Sequence, residues 1–327
     1  AFPVLLLQAE LEMNLGLITP VFILGILSAS IRLATPILLA ALGEVFTERS
    51  GILNLGLEGI MLMGALTGFL GAYWTGGNLA AGLLFALITG VLFGLLMGFM
   101  SITARVNQVV AGLGITILGT GLSTLIYRLS FGLRSQPPTI KIFSDIPIPL
   151  LSSIPGLGQV LFTQNVMVYA ALILTPIAWI VLYRTRFGLA VRAVGESPDA
   201  VDTRGISVSR IRYLAILIGG GLAGLGGAYL SIGSLGVFWT QMTAGSGFIA
   251  IAVVVFSRWD PARSLLGALV FGFAGALQLS LQTLKAPVAS ELLLMLPYVI
   301  TILVLVGVSR RAEFPAAYAV PYHRGEE

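Results

Sequence analysis

The chain has 327 residues, 57% of them hydrophobic and only 10% charged, with a mean hydropathy of +0.99; a water-soluble core cannot accommodate that composition, so an integral membrane protein is expected. A net charge of +4 would point to nucleic acid only if the basic residues formed a stripe, and most sit in loops between apolar runs, which argues against nucleic acid as a partner. No cysteine and a single histidine, His323, exclude disulfides, thiolate metal sites and His-based nucleophile relays.

A helix needs about 20 apolar residues to cross the ~30 Å hydrocarbon layer. In chain order the full-length candidates are Leu15 to Ser30, Ile52 to Trp74, Leu79 to Ile102, Val109 to Tyr127, Val166 to Tyr183, Tyr213 to Ile232, Ser264 to Leu284 and Leu292 to Val308. The N-terminus lacks a basic n-region and carries Glu10 and Glu12, so the first run reads as a retained helix rather than a cleaved signal peptide. Two shorter runs, Pro36 to Phe46 and Gly247 to Phe256, read as half-helices or tilted crossings. The sum is an all-α polytopic bundle of about eight long and two short helices, one transmembrane domain over residues 1–327 with ten passes. The short runs end alike, Val45 to Gly51 and Val255 to Pro261, through either chance likeness or a duplication into two halves.

Near the start of the second long run, Asn54 and Glu58 are four apart, which places both on one helix face. A carboxylate at membrane depth is costly, so Glu58 either lines a solute path or pairs with Arg49 or Arg32. Gly64 and Gly68, then Gly90, Gly94 and Gly98, and later Gly220 and Gly224, repeat at the spacing that lets helices approach closely in lipid. Asn107 and Gln108 precede the next helix; Gln241, Thr243 and Ser246 precede the second short run. Such amides and hydroxyls either hydrogen-bond a neutral polar solute or cap helices, and Asn107 reads as a cap.

Five prolines between Arg128 and Asn165 forbid a regular helix there and predict an ordered loop over one membrane surface. The connection from Arg184 to Arg212 carries six arginines. Within it Ser197, Pro198 and Asp199 form a helix-start pattern and Gly205 a stop, predicting about two turns of helix. That helix either lies on anionic lipid heads or forms a rigid knob for a partner protein. Across ten passes, thirteen basic residues fall on the side of the 184–212 loop and five on the side of the 128–165 loop, which places the former loop and both termini in the cytoplasm. No phosphate-binding loop of the G-x-x-x-x-G-K-[ST] form occurs, so any ATP used is handled by another chain.

The stretch ERSGILNLGLEGIMLMG from Glu48 to Gly64 closely resembles the signature of permease subunits of nucleoside-type ABC importers, within the wider ribose and branched-chain amino-acid permease group. Further matches are YRTRFGL from Tyr183, RAVGE from Arg192, Tyr213 to Ser231, TAGSGF from Thr243 and GALVFG from Gly267, so the resemblance spans nearly the whole chain. It implies a multi-pass permease of the bacterial plasma membrane that performs no covalent chemistry and pairs with a second, similar permease. ATPase subunits that bind ATP-Mg would sit inside, and an extracytoplasmic binding lipoprotein would deliver solute. It also implies a coupling helix formed by Glu196, Ser197, Pro198, Asp199, Ala200, Val201 and Asp202 with Gly205 at its end, although Glu196-Ser-Pro departs from the strict Glu-Ala-Ala form. Asn54, Glu58, Gln108, Gln241 and Ser246 are the candidates for the solute path, and the solute implied is a nucleoside, or else a simple sugar. A self-contained secondary transporter would be expected to show several intramembrane acids or histidines; an intramembrane hydrolase would need a paired nucleophile and base or a metal cluster. The sequence supports the permease over both.

Overall fold

The computed structural model describes residues 20–132, 136–284, 290–309 and 314–322. Glu10, Glu12, Arg134, Lys285, Arg310, Arg311, His323 and Arg324, which entered the readings above, lie outside the described residues. Among the described residues, seven helices are long and apolar enough to cross a membrane. They are α1 (Pro20–Arg49), α2 (Leu57–Trp74), α3 (Leu79–Gly98, carried on by a wide π turn to Thr103), α4 (Gln108–Phe131), α6 (Val166–Arg184), α9 (Val208–Ala228, carried on by a π turn to Leu235) and α11 (Pro261–Thr283). The shorter helices are α5 (Leu157–Leu161), α7 (Arg186–Glu196), α8 (Pro198–Asp202), α10 (Ser246–Phe256), α12 (Ser290–Leu294) and α13 (Leu296–Ser309).

The polytopic helical bundle is as expected, but the apolar runs before residue 50 differ. What reads as one long run plus a short run Pro36 to Phe46 is the single helix α1, with Pro36 inside it. The polar residues between the runs turn their hydroxyls back on the helix: Ser30 Oγ donates to the Ile26 carbonyl at 2.6 Å and Thr35 Oγ1 to the Ile31 carbonyl at 2.8 Å. Those residues therefore need no water and do not end the helix. At the other end of the chain, the run Leu292 to Val308 is divided at Met295 into α12 and α13, beside a proline at 297 that cannot donate to the helical ladder.

Helix α9 lies at the centre, packed on α1, α2 and α3. Its glycines make this approach feasible: Gly224 meets the backbone of Gly64, Gly220 that of Gly90, and a Cβ on Gly227 would overlap the carbonyl of Met61. The four-residue glycine spacings are thus packing devices, since without a hydrophobic drive between helices in lipid, close van der Waals contact must supply the association energy. Outward-facing Leu84, Ile88 and Leu92 on α3 and Val110 and Ile117 on α4 present these helices to hydrocarbon.

Two crossings are broken. Residues 50–56 run back into the bundle without helical structure before α2 begins, and residues 236–245 do the same before α10. With 11 residues α10 covers roughly 16 Å, about half the hydrocarbon layer. Its far end joins the end of α1: Arg49 donates to the carbonyls of Trp259 (3.4 Å) and Arg258 (3.3 Å). The segment 314–322 closes over the same end through Ala317 N–H to Gly195 O (2.8 Å) and Ala319 N–H to Gly51 O (3.0 Å). This arginine-rich end gathers Arg49, Arg105, the six arginines of 184–212, Arg258 and Arg263. The opposite end holds Arg32, Arg128 and Lys141 and the loop rich in proline. That loop is ordered by a two-stranded antiparallel ribbon, β1 (Asp145–Pro147) with β2 (Thr163–Asn165), in which Ile146 faces Gln164. Arg32 of α1 ties the ribbon down through Asp145 (2.8 Å) and Gln164 Oε1 (3.0 Å).

Candidate solute path and coupling site

At the inner end of the 236–245 segment, the Glu58 carboxylate accepts three hydrogen bonds: from Thr243 Oγ1 at 2.5 Å, Gly245 N–H at 2.9 Å and Gly247 N–H at 2.7 Å. These donors form the N-terminus of α10, whose own Gly245 has no side chain to cap it. Glu58 is itself in the first turn of α2, so two helix N-termini meet at one carboxylate near mid-membrane. Each end carries partial positive charge and unsatisfied N–H groups, and the anion answers both. A pair with Arg49 or Arg32, one of the two readings of Glu58, is therefore not formed: Arg49 is held by carbonyls at the arginine-rich end and Arg32 by Asp145 at the other. The backbone amides take the place of a cation.

On the opposite side of the α10 start lies a cavity of about 260 Å³ between α1, α9, α10 and α11. Its polar lining is Arg32, Tyr229, Ser234, Ser246 and Gln278, with Phe271 as a second aromatic wall. Tyr229 and Ser234 belong to the π turn that ends α9; the wider turn shifts the side-chain phase, a device common at functional sites. Such a lining offers hydroxyl, amide and aromatic surface to a neutral polar solute.

Nearer the arginine-rich end is a buried polar cluster that sequence reasoning missed. Glu44 and Glu48, one turn apart on α1, are both fully buried. Glu44 Oε1 accepts the Asn54 N–H at 3.1 Å, and Glu48 Oε2 the Trp259 indole N–H at 2.5 Å. Two acids at i and i+4 inside an apolar run were a readable signal. Asn54 is not on the α2 face expected: its Oδ1 accepts the Gly56 N–H at 3.1 Å, an Asx-type turn that holds the chain out of the helix until Leu57. Gln108 Oε1 accepts the Leu53 N–H at 2.7 Å, so Gln108 and Asn54 brace the same irregular segment, while Asn107 caps α4 through Val109 and Val110. Of the five path candidates, Asn54 and Gln108 are thus brought together, Glu58 and Ser246 lie on either side of the α10 start, and Gln241 stands apart, exposed on the 236–245 segment. Tyr318, beside Glu48 and packed on Trp259 and Phe314, has its phenol pushed well above the ordinary range, by burial first and by the Glu48 and Glu44 charges second. It stays protonated and able to donate.

In the 184–212 loop α8 is a single turn rather than two. Ser197 makes no side-chain cap; its N–H closes α7 on Ala193 at 2.8 Å, its side chain is exposed, and Pro198 then starts α8. Gly205 takes the left-handed backbone (φ +79°) that turns the chain into α9. Val201 fastens the turn by packing on Val194 and Val208. Glu196, Ser197, Asp199, Ala200, Thr203 and Gly205 are exposed around it, with Pro198 and Asp202 half-buried at its base. The result is a small anchored knob on the arginine-rich end.

Broken crossings, a cavity inside the bundle with a partly polar lining and a knob at one end define a membrane permease. A family model described as "Branched-chain amino acid transport system / permease component" matches residues 26–305, and the chain belongs to that family. It is 41% identical to the putative glucose ABC transporter permease protein TsgC13 of Haloferax volcanii, over 81% of this chain and 80% of that protein. It is 40% identical to the guanosine ABC transporter permease protein NupQ of Bacillus subtilis, over 92% and 97%, and 35% identical to the nucleoside ABC transporter permease protein NupC of Lactococcus lactis, over 88% and 93%. Each of these three organisms also has a second, more distant match at between 26% and 28% identity.

Proposed function

We propose that this chain is the transmembrane subunit of an ATP-driven importer that carries a nucleoside into the cytoplasm, with ATP-Mg bound and hydrolysed on a separate ATPase subunit. The observation that carries the reading is the anchored knob at Pro198–Asp202, a rigid exposed turn that the bundle itself does not use. The likeness to permeases named for guanosine and nucleosides supports the solute, and the cavity suits it: Tyr229 and Phe271 offer faces to a base, and Ser234, Ser246 and Gln278 offer polar groups to a sugar ring. The likeness to TsgC13 favours a second reading, a simple sugar, whose hydroxyls would use the same polar groups.

Trp239, Thr240 and Gln241 are exposed on the irregular 236–245 segment. Irregular backbone at membrane depth is tolerated only against protein or a water-filled path, so this face is the one that would meet a second permease. The second, more distant match in each of three organisms supports a distinct partner rather than another copy. A binding lipoprotein would dock on the end that carries the β1–β2 ribbon. Closure of the ATPases would draw the two knobs together and swing the bundles as rigid bodies about the broken crossings.

Proteoliposomes holding the assembled complex should take up labelled guanosine with internal ATP and not with an ion gradient. Labelled glucose moving in its place would replace the solute, and uptake by the isolated chain under a gradient alone would overturn the ATP-driven reading. Val201→Asp, which puts a charge beneath the knob, should cut solute-stimulated ATP hydrolysis at least tenfold, as expected when an unpaired charge is buried in an apolar contact.

The orientation is tested separately. With no native thiol to interfere, Ser153→Cys should react with an impermeant maleimide added to intact cells, and Thr203→Cys only after the membrane is opened. The reverse pattern would invert the topology proposed here.

A further inference from the structure

The loop rich in proline carries an apolar surface that neither the cavity nor the knob uses. From Ile146 to Gln164 no residue is charged. Leu150, Leu151, Ile154, Leu157 and Leu161 are all exposed, Leu150 over 88% of its surface. The backbone of the same stretch is largely closed on itself. Pro149 and Pro155 have no N–H to satisfy. Eight N–H groups between Ile148 and Phe162 donate to carbonyls of that stretch, among them Ile148 to Phe162 (2.9 Å), Ser152 to Ile148 (2.9 Å) and Gly158 to Ile154 (2.8 Å). A loop bathed in water does not need such closure, whereas one that meets lipid does.

This stretch lies against the part of α1 that the bilayer cannot hold upright. The 30 residues of α1 span about 45 Å against a hydrocarbon layer of ~30 Å, whereas the 19 residues of α6 span about 28 Å. The surplus is the end of α1 before Arg32, where no residue is charged and Val21, Ile23 and Leu27 are exposed. A helix too long for its layer tilts, which lays this end along the leaflet. Helix α5 packs on the same end, Val160 against Leu24 and Ile31, and a Cβ on Gly156 would lie 3.5 Å from Leu24. The exposed leucines of the loop therefore continue the apolar outer surface of α1.

We infer that residues 148–161 and the start of α1 form a shelf seated at the boundary of headgroups and acyl chains in the leaflet on the ribbon side, so that lipid covers Leu150 and Leu157. An irregular backbone does not enter the acyl core, which sets the level at that boundary. A soluble protein that docks and leaves needs a polar rim and charges to steer it, and this stretch has no charge. Ser152 and Ser153 stay at headgroup level, within reach of a water-soluble reagent. The ribbon is then held from two sides, by Arg32 toward the bundle and by the shelf toward lipid.

The chain has no cysteine, so a nitroxide can be placed singly at Leu150→Cys, at Leu157→Cys and, as a reference on the charged part of the same loop, at Lys141→Cys, all exposed positions. Power-saturation spectra of the full chain in phosphatidylcholine nanodiscs compare collisions with oxygen, which concentrates in lipid, and with a water-soluble nickel chelate. Labels at 150 and 157 should favour oxygen, at a depth of roughly 5–10 Å, and the label at 141 should favour nickel. Nickel accessibility at 150 or 157 equal to that at 141 would overturn the shelf, since water would then cover the loop. Shielding of either label from both reagents would overturn it as well, because protein, whether residues 1–19 or a second copy of the chain, would then lie over the leucines.

Discussion

Glu58→Gln is expected to abolish uptake, with a loss of at least tenfold, and to lower the melting temperature of the purified protein. The amide is nearly isosteric, so the cause is the hydrogen-bond inventory. The carboxylate accepts from Thr243, Gly245 and Gly247 with both oxygens. A glutamine placed to keep the first two partners turns its NH₂ toward the Gly247 N–H, donor against donor. One charge-assisted bond is lost and one buried donor stranded, a cost of roughly 2–4 kcal/mol. The charge facing two helix N-termini goes with it. Because Gly247 approaches the Glu58 backbone closely, the start of α10 cannot shift to compensate without moving Ser246 at the cavity wall. Glu58→Asp is the informative companion: it keeps the charge but is one methylene too short to reach all three donors, so it should retain more stability than glutamine while still impairing uptake. A glutamine variant normal in both melting and transport would remove Glu58 from the mechanism.

The largest effect on folding is expected at Gly227. Any side chain there overlaps the carbonyl of Met61 and crowds the Ala65 N–H, both on the backbone of α2, so no rotamer change can relieve the clash. Gly227→Val should separate α2 from α9 at a cost on the order of 3 kcal/mol or more, leaving little monodisperse protein on size-exclusion chromatography. Gly121→Val on α4 is the control: a Cβ there meets open space, so the variant should accumulate normally apart from the small helix-propensity change. Equal yields of the two variants would mean that α9 is not held by close backbone contact.

These two sites also mark what the sequence made legible and what it did not. The glycine spacing on α2, α3 and α9 was readable because helix contact in lipid has a four-residue period and few other solutions. Glu58 was visible as a costly charge in an apolar run, but its partners lie on a segment 185 to 189 residues away, and a backbone N–H carries no letter in the sequence. An arginine was the partner that composition suggested; two uncapped helix ends were the partner that geometry supplied. Pro36 misled for a related reason, since a proline beside Ser30 and Thr35 reads as a break until the hydroxyls are seen to fold back on α1. Ser197 had the letters of a cap, yet its exposed side chain makes no capping bond to the start of α8. Glu44 and Glu48 were legible by spacing alone and belong with Glu58 as acids that a broken bundle needs.

The segment 314–322 adds a matter of timing. Its N–H groups at Ala317 and Ala319 reach the carbonyls of Gly195 and Gly51, and Arg212 donates to its Val320 carbonyl at 3.3 Å. The end of α1 and the 184–212 loop, widely separated in sequence, are thus stitched by residues that leave the ribosome after both of them. The knob stands on a base that is unfinished while the chain is still being made, so a polypeptide stopped short of residue 314 would insert its helices and yet lack the clasp beneath the knob.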